Sequence, residues 1–168
     1  HTAKITDTKY EGTLAGVLVL PNRITNEAAT ATAGASTENQ NARRINNLSH
    51  DGWQAWQNQE KGKAPESSQV ISPEHPEFVT LTWPTPVSLN GLIPVWAGVA
   101  TADVQSFVGP DDHNPKDAPE ADWRTINTYQ GIRHNYATQF WPNHIAFGKE
   151  IKTRAIRLRI TQAGANAS

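Results

Sequence analysis

The sequence predicts an all-β fold, an antiparallel sandwich built as one domain. Apolar residues alternate with polar ones in several separate runs, helical spacing is almost absent, and Pro, Gly, Asn and Asp cluster between the runs. Alternation with period two puts one side of each strand into a core, and the clusters mark turns and long loops. Many short strands joined in this way belong to sandwiches.

In chain order, Ala28 to Thr37 is rich in Ala, Thr, Gly and Ser. It is low in complexity, yet small and β-branched residues suit a strand. Glu38 to Leu48 carries the best helical hint, a short turn in which Ala42, Ile45 and Leu48 would share one side. In Phe78–Trp83, residues Val79, Leu81 and Trp83 lie on one face and Thr80 and Thr82 on the other. Ala102, Val104, Ser106 and Val108 then alternate with Asp103, Gln105 and Phe107, and Ile156, Leu158 and Ile160 with Arg157 and Arg159. The turn clusters are Ser72 to Pro76, Pro84 to Pro86 and Gly109 to Pro119. No repeat or linker divides residues 1–168, and the small polar tail after Gln162 is expected to fray.

Composition narrows the chemistry. The 168 residues carry 15 Lys plus Arg against 16 Asp plus Glu, a net charge of −1, without the basic surplus a nucleic-acid binder needs. With no cysteine there is no disulfide, thiolate nucleophile or cysteine-ligated metal. No apolar run reaches the roughly 18 residues of a membrane span. The stretch from Leu14 to Pro21 is too short, and lacks the basic flank, for a signal peptide. A start at His1 with no Met anywhere is expected of a processed protein or a piece of a longer one. There is no Gly-x-Ser-x-Gly elbow, His-Glu-x-x-His, phosphate loop or dinucleotide fingerprint, so no catalytic residues are assigned.

Asn26 to Ala33 leads through Ala35-Ser36-Thr37 to Asn47-Leu48-Ser49-His50-Asp51-Gly52, with Trp53 and Trp56 close behind. Phe78–Trp83 and Val87–Trp96 follow, then Val104–Gly109 with Asp122–Ile126, and Thr153–Thr161 comes last. In this order the segments resemble the discoidin family, the domain type at the C-terminus of coagulation factors and in bacterial carbohydrate-binding modules. The first is similar to the family's small-residue opening strand and Asp-Gly turn, and Phe78–Trp83 and Val87–Trp96 look like its central pair of strands. Val104–Gly109 and Asp122–Ile126 resemble the next hairpin with its closing Trp, and Thr153–Thr161 is close to the last strand. The resemblance spans residues 22 to 162, leaving 1–21 as an extension or extra strand. It implies a galactose-binding-like jelly roll of about eight strands. It also offers Asp51 to a structural calcium, although Trp53 directly follows Gly52 and Ala55 precedes Trp56, unlike the calcium-binding members. The basic residue of galactose-binding members is replaced by Thr101-Ala102-Asp103. Absence of the closing disulfide of animal members points to a bacterial relative, secreted, periplasmic or at the cell surface.

The expected function is non-catalytic, lectin-like glycan binding by a module accessory to a larger protein. Sugar rings stack their C–H faces on aromatic rings while polar neighbours bond the hydroxyls. Of six tryptophans, Trp83 and Trp123 are expected in the core, and Trp53, Trp96 and Trp141 at loop edges as recognition candidates. Tyr129 to His144 concentrates recognition residues, among them Arg133, His134, Asn135 and Tyr136; the segment either binds ligand or packs its aromatics under itself. The acid-rich loop Asp111 to Asp122 is expected to be solvated, and Lys149, Lys152, Arg154, Arg157 and Arg159 to form a solvated outer strand face. Two alternatives stand: a protein-interaction or assembly domain of the same fold, or a copper polysaccharide monooxygenase using His1 with His113, His134 or His144.

Overall fold

Where alternation is strict the chain is extended, and the breaks in it set the strand ends. The computed structural model describes residues 25–37, 39–48, 55–58, 70–96, 98–130 and 141–164, with the backbone alone for 141 and 142. Seven strands form among them: β1 (Thr32–Ala35), β2 (Glu77–Leu92), β3 (Val95–Trp96), β4 (Val99–Phe107), β5 (Trp123–Gln130), β6 (Trp141–Pro142) and β7 (Ile145–Ala163). Five make one antiparallel sheet in the order β1-β2-β7-β4-β5, and β3 and β6 pair as a separate ribbon. The fold is all-β, as expected, with short 3₁₀ turns at Glu27–Thr30, Asn39–Arg44 and Glu120–Asp122.

The two longest strands make the sandwich by curling. Asn127 of β5 lies opposite Val104 of β4, which in turn lies opposite Leu158 of β7. The stretch from Ala146 to Leu158 would span about 40 Å if straight. Yet the Asn127 side-chain amide donates to the Ala146 carbonyl at 3.0 Å. The first half of β7 therefore folds back over the sheet. The bends in its partner are visible: register breaks in β2 fall between Thr82 and Val87, where Pro84 and Pro86 remove ladder donors, and between Leu89 and Gly91. The residues expected to form a central pair of strands, Phe78–Trp83 and Val87–Trp96, thus belong largely to one strand. Proline interrupts the ladder there without reversing the chain, and both halves pair with β7.

Gly91 sits where the fold-back is tightest. A Cβ built on it would lie 2.9 Å from the Ile145 carbonyl oxygen and 3.5 Å from the Ala146 Cα, both backbone atoms. Gly91→Ala is expected to cost about 1–3 kcal/mol through forced separation of the two strands. Thermal unfolding checks this; an unchanged midpoint would show that the strands part freely.

Between the layers lies a core of Leu81, Trp83, Val104, Ile145, Phe147 and Ile156, extended by Ile71, Val79, Ala102 and Ile160. The Trp83 Nε1 donates to the Glu27 carbonyl at 2.8 Å, tying the first 3₁₀ turn to β2. In the second such turn Ala42 is buried and Ile45 packs on the core, but Leu48, expected on the same side, is 60% exposed. The helix ends at Arg44, and Leu48 turns away at a positive φ of 62°.

The other face of the sheet corrects a second expectation. Phe107, Trp123 and Ala155 form a smaller cluster there, while Val108, expected to continue the alternation, is exposed. The alternation holds through Ser106 and Phe107, and β4 then ends, so Val108 lies beyond the strand with its N–H on the Asp122 carbonyl at 2.8 Å. Arg157 is not on a solvated face: it is 8% exposed, with its guanidinium carbon 4.3 Å from the Trp123 ring centre and 4.6 Å from that of Phe78. Its Nε and Nη2 donate to the Gln105 Oε1 at 2.8 and 2.6 Å, and Nη2 also reaches the Glu120 Oε2 at 2.6 Å. The loop that covers this cluster keeps Asp111, Asp112, Asp117 and Glu120 in solvent as expected but buries Asp122, which bonds the His113 Nδ1 at 2.5 Å. That bond, with Asp122's negative charge, holds the His113 imidazole above its ordinary pKa.

Candidate functional site: an aromatic ribbon

A two-residue ribbon carries the best recognition geometry among the described residues. Val95 lies opposite Pro142 and Trp96 opposite Trp141. Pro142 has no N–H to give, so the next donor on that strand, the Asn143 N–H, closes the ladder on the Pro94 carbonyl at 2.9 Å. The ribbon is pinned to the main sheet through Tyr129 of β5. The Tyr129 ring meets Trp96 edge-on, with centres 5.0 Å apart and planes at 66°, a favoured aromatic arrangement. The Tyr129 hydroxyl donates to the Asn143 Oδ1 at 2.9 Å.

Trp96 is half-buried, with part of its indole against the core and the remainder accessible. Ile93, two residues before the ribbon, is 57% exposed, and His144, directly after Asn143, is exposed as well. The arrangement offers an oriented aromatic, with an exposed aliphatic residue before it in the chain and, in His144, an exposed imidazole able to bond hydroxyls. Among its described residues it contains no nucleophile–base pair. Among the described residues no three His, Asp or Glu side chains come together as a metal site.

Comparison with solved structures places this architecture. A crystal structure of chitosan-binding module 1 from the chitosanase/glucanase of Paenibacillus sp. IK-5 superposes with a TM-score of 0.57 at 16% identity, over 85% of this chain and 91% of that one. A selenomethionine-labelled point mutant of the same module gives 0.57 at 18% identity, over 84% of this chain and 89% of that one. Its solution structure gives 0.53 at 17% identity, over 85% and 92%. The fold is shared with this chitosan-binding module. No family model matches the chain, and no curated protein matches it by sequence.

On this module fold, the expected site residues divide sharply. Trp96 stands in the ribbon as a half-buried aromatic. Trp141 is its backbone partner across the ladder. Trp53, Arg133, His134, Asn135 and Tyr136 lie outside the described residues, as do Asp51, the calcium candidate, and His1. Trp83 and Trp123 are core residues, as expected. Tyr129 and Asn143 lie near the two ends of the aromatic-rich segment already singled out, but their link to Trp96 is invisible in sequence because it crosses from one sheet to the other. Ile93 gave no sequence signal beyond an apolar residue beside Leu92 in the stretch from Gly91 to Pro94.

Proposed function

We propose that the chain is a non-catalytic carbohydrate-binding module of the discoidin, galactose-binding-like kind. It serves as an accessory to a secreted or surface-exposed bacterial protein and takes oligosaccharide on the Trp96 ribbon. One observation carries this reading: an accessible Trp, held edge-on by Tyr129, stands on a fold shared with a module named for chitosan binding. A pyranose ring stacks on an indole through its C–H face, and a ring already fixed in place loses little freedom on binding. Attachment to a larger protein raises a weak individual affinity through effective concentration. The absence of cysteine agrees with a bacterial relative lacking the animal family's terminal disulfide.

Affinity electrophoresis in gels containing chitosan, with a neutral polysaccharide alongside, tests the reading. Retention by chitosan is expected. Trp96→Ala should weaken it about tenfold, the equivalent of about 1.4 kcal/mol. Equal mobility of the wild-type chain in every polysaccharide gel and in the blank would sink the glycan reading; retention unaffected by Trp96→Ala would move the platform elsewhere.

A further inference from the structure

We propose that Asn143 is a positioning residue, one that sets the tilt of Trp96 through Tyr129 without itself needing to touch ligand. The consequence for affinity rests on the glycan-binding reading above; the positioning does not.

Asn143 is held from two sides. Its backbone N–H is committed to the Pro94 carbonyl and its side-chain oxygen accepts from Tyr129, both at 2.9 Å. It follows Pro142, whose ring restricts φ, and its backbone acceptor belongs to another proline. The acceptor that Tyr129 finds is therefore set on stiff backbone. Tyr129 belongs to the edge strand of the main sheet, whereas Trp96 belongs to the ribbon and Asn143 directly follows it. The phenol thus spans two sheets: its ring lies against the Trp96 indole and its hydroxyl against Asn143.

A hydroxyl held at a fixed point restricts rotation of the Tyr ring, and the ring edge in turn closes off rotamers of its Trp neighbour. Without Asn143 the phenol would turn to water, and the indole plane would be free to rock. Stacking on a sugar would then carry the cost of immobilising it. For one rotamer-rich side chain this cost amounts to roughly a threefold to tenfold loss in affinity.

Titration with a soluble chitosan oligosaccharide, followed by calorimetry, gives the first readout. Asn143→Ala and Tyr129→Phe should each weaken binding by roughly threefold to tenfold, and the double variant should be no worse than either single one. Asn143→Asp keeps an acceptor for the phenol and should bind like wild type. If Trp96→Ala loses binding while Asn143→Ala and Tyr129→Phe bind like wild type, the positioning role is overturned and the glycan reading survives.

A ligand-free readout tests the positioning alone, whether or not chitosan binds. At the long-wavelength edge of the near-UV circular dichroism, where tryptophan alone contributes, Tyr129→Phe and Asn143→Ala should change the signal in the same sense, because they alter the orientation of coupled rings. Both changes should disappear in a Trp96→Phe background. Difference spectra that persist unchanged in that background would overturn the proposal.

Discussion

Arg157→Ala is expected to destabilise the fold by about 3–5 kcal/mol, far beyond the effect of any exposed charge. The guanidinium lies between Phe78 and Trp123 with ring-centre distances of 4.6 and 4.3 Å. Cation–π attraction strengthens when water is excluded, and Arg suits such a slot because its planar head is weakly hydrated. Removal opens a void between two aromatics and strips the Gln105 Oε1 of both its guanidinium donors. Gln105 would keep its own donations to the Glu120 Oε1 and Thr125 Oγ1, each at 3.2 Å. Burial lowers the Arg157 pKa from its ordinary value, while the Glu120 carboxylate opposes that shift. The Glu120 side chain, however, is 61% exposed. Glu120→Gln should therefore cost no more than about 1 kcal/mol. Arg157→Lys should recover only part of the loss, since an ammonium cannot stack between the rings or present a rigid planar fork. Urea unfolding of the three variants provides the check. Equal losses from Arg157→Ala and Glu120→Gln would assign the anchor to the carboxylate pair and not to the stacked guanidinium.

Glu77→Gln is expected to stabilise the protein at neutral pH, and Glu77→Ala to cost about 3 kcal/mol. Glu77 is 1% exposed at the start of β2. Its Oε1 accepts from the Ser36 hydroxyl and the Thr37 N–H, and its Oε2 from the Thr37 hydroxyl. These donors are uncharged. Burial raises the carboxyl above its ordinary pKa of 4.5, and the hydrogen bonds from Ser36 and Thr37 offset this in part. A carboxyl raised on folding binds its proton more tightly in the native state than in the unfolded one. Its contribution is therefore fully present below about pH 4.5 and is lost as pH rises through the higher native value. Gln keeps an acceptor for Ser36 and Thr37, can donate to the Thr37 hydroxyl, and does not ionise. Melting curves from pH 4 to pH 8 should accordingly show the Gln variant gaining on wild type as pH rises. A constant gap across that range would mean that Glu77 does not titrate differently on folding. Ala at this position leaves the three donors without their acceptor at every pH.

The two sites differ in how openly the sequence announces them. Arg157 alternates with Ile156 and Leu158, and that pattern assigns it to the side away from the core. The assignment of side is correct, since Ile156 packs in the main core and Arg157 on the opposite face. Solvation is what fails: the loop before β5 and the ring of Trp123 cover that face and make a second small core. Alternation reports only which residues share a side of a strand. Whether that side is wet depends on chain brought from elsewhere, here across a separation of 34 residues between Trp123 and Arg157. Leu48 fails for a related reason. Helical spacing put it beside Ala42 and Ile45, but the 3₁₀ turn stops at Arg44 and the backbone reverses its hand at Leu48.

By itself the sequence determined the all-β class, the strands around Val79–Trp83, Ala102–Phe107 and Ile156–Ile160, and the core placement of Trp83 and Trp123. Period-two patterning encodes the strands and the placement of Trp83 locally, because each residue's side of its strand follows from its neighbours in the chain, whereas the expectation for Trp123 came from the family resemblance. It also narrowed recognition to aromatics that include Trp96 and to the segment from Tyr129 to His144. Only the tertiary structure decided that β2 and β7 fold back on themselves, that Arg157 lies between two rings, and that Tyr129 joins Trp96 to Asn143. Each of these depends on contacts between residues far apart in sequence. Their geometry follows from bulges, loop paths and sheet order, and a single strand's pattern contains none of those.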